Sequence, residues 1–210
     1  MTLPPDTVER LFAAAEDLVR ETGLSAVTLS AVAVRADVPM DKVAPYFADD
    51  RSLRHRLVER YHEANREVLR FSLRNMESVE DAIAQLQQAV HNYFEMFHQD
   101  AVLRDVWTEI LTDRDMRQIN LGHVVIKAAD VVELIRPLVP NLPELEVVAV
   151  VELMIHMTDV AARWAAMRQP AQARAMLVEF NNIIGLIGAD LVRRNEAAGV
   201  IRRPQAVSHS

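Results

Sequence analysis

Apolar side chains recur at helical spacing along nearly the whole chain, three or four residues apart, with polar residues between them. Leu11, Phe12, Ala15, Leu18 and Val19 fall on one face of a first helix. Asp6 opens it with Glu9 three positions on, an acidic form of the capping box, and Thr22-Gly23 closes it. Thr28 caps a second, short helix reaching Ala36, the chain breaks at Asp37-Val38-Pro39, and a third segment runs to Phe47. Asp49 opens a long fourth helix to about Asn75, with Leu53, Leu57, Tyr61, Ala64, Val68 and Phe71 as its expected buried line. Ser78 with Asp81 opens a fifth, carrying Ile83, Leu86, Val90, Phe94 and Phe97. Helices over 101–113 and 115–136 follow, stopped by Pro137, Pro140 and Pro143. Two longer ones over 144–168 and 171–195 are parted at Gln169-Pro170. The pattern predicts an all-α protein of about nine helices, with 196–210 as a polar, flexible tail.

Composition narrows the chemistry. Glycine occurs five times in 210 residues, where an average share of roughly 7% gives about fifteen. That scarcity disfavours turn-rich β folds and nucleotide-binding α/β folds, whose tight turns and phosphate loops need glycine. The absence of cysteine removes disulfides, thiolate zinc sites, iron–sulfur clusters and thiol nucleophiles. No G-x-S-x-G turn, phosphate loop or dinucleotide fingerprint is present. His91, Glu95 and His98 share one helical face at i, i+4 and i+7, but no further ligand can be named, so no metal is expected. The protein is expected to be no enzyme and to need no cofactor. The N-terminus lacks the basic start and apolar run of a signal peptide, and the apolar stretch 147–158 is interrupted by Glu152 and His156. A cytoplasmic protein without a membrane partner is expected.

The net charge of −7 hides a reversal. Residues 1–50 hold nine acids and four bases, whereas 51–75 hold seven arginines against Glu59, Glu63 and Glu67. Three short N-terminal helices, with a three-residue break before the third, have the proportions of a helix-turn-helix, which lays its last helix in the DNA major groove. The run from Val8 to Leu53 carries this further. Ala13-Ala14-Ala15, Gly23, Thr28, Val32-Ala33, Ala36, Val38, Val43, Tyr46-Phe47 and Leu53 closely resemble the N-terminal domain of the TetR family of transcriptional regulators. The rest of the chain resembles that family in layout.

The resemblance implies a helix-turn-helix DNA-binding domain over 1–48 and a helical ligand-binding and dimerisation domain over 49–195. It implies a homodimer on double-stranded DNA, a repressor released by a small, largely apolar ligand. The residues placed at DNA are Thr28, Ser30, Pro39, Met40, Asp41, Lys42, Ala44 and Tyr46, with Arg51 and Arg54 on phosphate. Several positions depart from the family. Asp37 stands at the turn glycine, Pro39 at the Ser/Thr cap, Ala44 at the phosphate-contacting tyrosine, and Asp50 at the phosphate-gripping lysine. Pro45 removes one helix hydrogen bond. Two missing phosphate contacts predict weak non-specific binding. A helical ligand-binding or protein-interaction dimer whose helix-turn-helix no longer binds DNA is the alternative.

Large apolar side chains mixed with scattered polar groups mark the candidate ligand pocket: His91, Phe94, Phe97, Trp107, Asn120 and His123, with Met154, Met157 and Trp164. The 144–168 helix is apolar nearly all round and the 171–195 helix carries Gly185 and Gly188 mid-length. Such helices need cover on several sides, which predicts a symmetric four-helix dimer contact through Val151, Ile155, Phe180, Ile184, Gly188 and Leu191. The same pattern also fits two helices central in a monomer's core.

Overall fold

The computed structural model describes residues 3–202 and shows, among them, nine α-helices, two short 3-10 turns and no strand. The helices are α1 (Pro5–Thr22), α2 (Leu29–Arg35), α3 (Met40–Val43), α4 (Asp50–Ser72), α5 (Val79–Gln99), α6 (Ala101–Thr112), α7 (Arg114–Ile135), α8 (Glu144–Ala166) and α9 (Pro170–Arg202). Local side chains set most boundaries. Thr28 accepts from the Ala31 amide at 3.2 Å at the start of α2, and Asp49 accepts from the Ser52 amide at 2.7 Å at the start of α4. Ser78 accepts from the Asp81 amide at 3.0 Å before α5. Gly23 ends α1 at φ +82°, a conformation that costs glycine nothing.

Three boundaries differ from the sequence pattern. α1 begins at Pro5 after Pro4, without a side-chain cap from Asp6, because proline already has helical φ and lacks an amide to satisfy. α3 is one turn long, and Pro45 stops it early, although the Phe47 amide still reaches the Val43 carbonyl at 3.2 Å. α9 continues through 196–202, positions expected in a flexible tail; 203–210 lie outside the described residues.

The chain divides into two compact units, Met1–Glu67 with Met96–His123, and Val68–Glu95 with Val124–Ser210. In the first, α1, α2 and α3 close over Leu11, Ala15, Val19, Val27, Val32 and Val43, all fully buried or nearly so, and Phe12 meets Phe47 edge-on at 6.2 Å. The buried line of α4 differs from the expected one. Leu53, Leu57, Val58 and His62 turn inward, whereas Val68 and Phe71 are exposed. A helix of 3.6 residues per turn drifts away from any strict three-or-four spacing, and the drift carries the line onto the polar His62.

The second unit packs Leu73, Ala128, Val131, Val132, Val139, Leu142, Val147, Val151 and Leu191 into one core. α8 and α9 lie against each other within it. α9 is long enough over Pro170–Val200 to cross a membrane, and its most apolar 18-residue window has a mean hydropathy of 1.5, but it qualifies only by those two criteria.

Candidate functional site

The helix-turn-helix region is built around one inward side chain of α3. Val43 is fully buried, while Met40, Asp41, Lys42 and Ala44 point to solvent and Tyr46 is half-buried beside Phe47 at 4.8 Å. The turn that aims α3 is held at Asp37, φ +51°, where aspartate occupies the left-handed conformation usual for glycine. Arg10 clamps that turn by donating to the Ala36 and Asp37 carbonyls. Thr28 and Ser30 sit at the start of α2, their hydroxyls 3.2 Å apart, and Pro39 precedes α3 without a capping oxygen. The structure thus packs α2 against α3, the two helices that carry these predicted positions.

The two predicted phosphate arginines have partners. Arg54 donates to the Val27 carbonyl at 3.1 Å, and Arg51 pairs with Asp115 at 2.5 Å and lies 3.6 Å from Asp113. Asp50, where the family has lysine, accepts from the Leu29 amide at 2.7 Å and so caps α2. Elsewhere in the first 60 residues, Arg20 pairs with Asp17, Arg35 bidentately with Glu21, Arg56 with Glu59 and Arg60 bidentately with Glu9. Every arginine up to position 60 is therefore engaged by a carboxylate or a carbonyl. Counter-charge is also fixed nearby: bonds from the Ser52 amide and hydroxyl hold the Asp49 carboxyl below the usual carboxylate range.

The predicted ligand-pocket residues distribute over both units. In the first, Trp107 meets His62 edge-on at 5.0 Å and His123 stacks on His62 at 4.4 Å, 11° from parallel. Phe97 is buried, and Asn120 holds its carbonyl oxygen out of solvent without a hydrogen bond. In the second unit, Phe94 stacks near Phe180 at 6.3 Å and Met154 is buried. His91, Met157 and Trp164 lie on the surface, which takes them out of any interior pocket. His62 escapes the sequence pattern, because apolar periodicity along α4 does not point to a polar side chain. A buried pair is likewise silent in the sequence: Tyr93 Oη donates to Asp159 at 2.9 Å, with the second Asp159 oxygen unpaired. Burial first, then the Asp159 charge and hydrogen bond, push the Tyr93 hydroxyl well above its ordinary pKa.

The predicted dimer residues lie largely inside the chain's own core. Val151, Phe180, Ile184 and Leu191 are buried in the second unit, and Ile155 packs against its core. A Cβ on Gly188 would stand 2.2 Å from Ile83 Cδ1, so that glycine serves the approach of α9 to α5 within the chain. A helix that is apolar all round gives no sequence signal for which face turns inward. The exposed apolar line on α8 is instead Leu153, Met157, Val160 and Trp164, with Leu186 exposed on α9. A mainly apolar groove of about 360 Å³ runs between the two helices, lined by Leu153, Met154, Met157, Leu186 and Ile187 and closed by Asp190 and Arg194.

Comparison with known proteins places this geometry. Residues 80–185 match the family described as "Tetracyclin repressor-like, C-terminal domain". Among solved structures, a TetR-family transcriptional regulator from Streptomyces coelicolor is similar at a TM-score of 0.63 and 20% identity, over 85% of this chain and 93% of that one. SmeT, the repressor of the Stenotrophomonas maltophilia multidrug efflux pump SmeDEF, is similar at 0.62 and 18% identity, over 84% and 87%. The SmeT–triclosan complex gives 0.59 and 21%, over 87% and 90%. No curated protein sequence matches this chain significantly. The family match covers half the chain, and the all-helical fold is similar to those of the solved regulators; the chain belongs to the TetR family, whose members are transcriptional regulators and not enzymes.

Proposed function

We propose that this regulator is a ligand-responsive repressor that binds an operator as a homodimer in the cytoplasm. The observation that carries the DNA reading is the display of Met40, Asp41, Lys42 and Ala44 around the single buried Val43. One anchored side chain fixes α3 and leaves the others free to meet base edges. Lys42 donates to guanine, Asp41 accepts from cytosine, and Met40 or Ala44 packs on a thymine methyl. Residues 1–48 form the DNA-binding domain and 49–195 the ligand and dimer domain.

The second copy docks on the exposed α8 line and the groove beside it. That face is apolar along Leu153, Met157 and Val160, and the charges at its edge, Asp190 and Arg194, already neutralise each other at 2.8 Å, so two copies of the face meet without charge repulsion. The ligand is small and largely apolar, consistent with the buried aromatic groups of each unit; the likeness to SmeT, solved with triclosan, supports both ligand control and repression. Selection of bound duplexes from a random pool, repeated with hydrophobic small molecules, tests the reading. A recovered palindromic site released by one such molecule supports it, and no enrichment at low salt refutes it.

One observation favours a second reading, a helix-turn-helix without DNA function. Every arginine up to position 60 already has a partner within the chain. The same selection separates the two.

A further inference from the structure

Arg51 differs from the other arginines of the first 60 residues in where its partners come from. Those others are held from within that segment, by carbonyls at Val27, Ala36 and Asp37 or by Glu9, Asp17, Glu21 and Glu59. Arg51 is held from α6–α7, by Asp115 Oδ2 at 2.5 Å and Asp113 Oδ1 at 3.6 Å. It is the second residue of α4, half-exposed, and stands next to the α2 cap formed by Asp50.

Asp113 cannot follow Arg51 elsewhere. Its carboxylate accepts from the Asp115 amide at 2.8 Å and the Met116 amide at 3.0 Å, capping α7. Those amides, the Met116 one foremost, together with the charges of Arg51 and His55, hold Asp113 below the usual carboxylate range. The fixed Asp113 carboxylate and the half-exposed Asp115 carboxylate meet on one guanidinium the same N–H donors that a DNA phosphate would take. Exposed ion pairs of this kind are weak, so they compete with phosphate and do not lock the side chain.

We propose that Asp113 and Asp115 set the affinity of this protein for DNA by occupying the Arg51 guanidinium until a backbone phosphate displaces them. The proposal rests on the DNA-binding reading above and adds to it two residues outside the helix-turn-helix.

The test measures binding of a random-sequence 30-base-pair duplex by fluorescence anisotropy over a range of salt. The variants are Asp113→Asn/Asp115→Asn, Arg51→Ala, and the three substitutions combined. Asparagine preserves the α7 cap, and Asp115→Asn alone, away from the cap, guards against a folding defect. The double variant is expected to bind about two- to fivefold more tightly, the scale of exposed ion pairs. That gain should vanish once Arg51 is alanine, as coupled residues require. Arg51→Ala should also reduce the salt slope by about 0.9. Unchanged affinity overturns the proposal, as does a gain that persists without Arg51, which would mean general charge repulsion. DNA binding that ignores these substitutions overturns this inference alone. No binding by any variant at the lowest salt overturns the DNA reading with it.

Discussion

The Leu29 amide donates to the Asp50 carboxylate at 2.7 Å, so the residue that opens α4 also caps α2. Family resemblance alone makes Asp50→Lys a repair that restores a phosphate contact. The hydrogen bond adds a cost. Asp50→Lys should raise non-specific DNA affinity while lowering stability by about 0.5–2 kcal/mol through the lost cap. Asp50→Asn should keep most of the stability. Urea unfolding of both variants, beside anisotropy with random duplex, checks the two effects separately.

Lys42 is exposed on α3 and packs into no core. Lys42→Ala should leave the melting temperature unchanged and relax selectivity at one base pair of a selected site by about 1–3 kcal/mol. A uniform loss across all sequences would show that Lys42 contacts phosphate instead.

Gly188 and Leu153 separate chain packing from assembly. Gly188→Leu forces its side chain onto Ile83 and should destabilise the fold by about 1–3 kcal/mol through overpacking. Leu153→Glu, on the exposed α8 line, should leave folding intact and shift sedimentation toward monomer. A dimer that tolerates Leu153→Glu would place the interface elsewhere.

Tyr93 and Asp159 give an alkaline dependence with a definite sign. Burial, and then the carboxylate beside it, raise the folded-state pKa of Tyr93 above the ordinary value near 10. A group raised on folding contributes fully below its unfolded pKa and loses that contribution as pH climbs beyond it. Stability should therefore decline above about pH 10. Burial also raises Tyr61, so Tyr93→Phe should make the decline shallower without abolishing it. At neutral pH, Tyr93→Phe strips the buried Asp159 of its donor and should cost about 1–3 kcal/mol. Chemical denaturation at pH 7 and pH 10.5 reads both.

Much of the helix-turn-helix is legible in the chain because its cues are local. Thr28, Asp49 and Ser78 cap helices by bonding an amide three residues on, and Gly23 and Asp37 adopt positive φ where the chain turns. Such contacts need no knowledge of distant residues. The candidate ligand region is less legible: His91, Met157 and Trp164 have pocket-like chemistry but lie outside, whereas His62 and Asp159 are inside without an apolar signature.

The sequence by itself determined the helices, most of their ends, the turn before α3 and the family resemblance. These follow from interactions within a turn or two of backbone. Tertiary structure alone decided which face of each helix turns inward and which charges meet. Phe180, Ile184 and Leu191 are buried while Leu153 and Leu186 are exposed, though all five are apolar and helical. Arg51 finds its carboxylates more than 60 residues away, at Asp113 and Asp115. Periodicity specifies a face, but its partner is chosen by packing across the chain. The arginines that first suggested a grip on DNA are, in the folded protein, already held by its own oxygens.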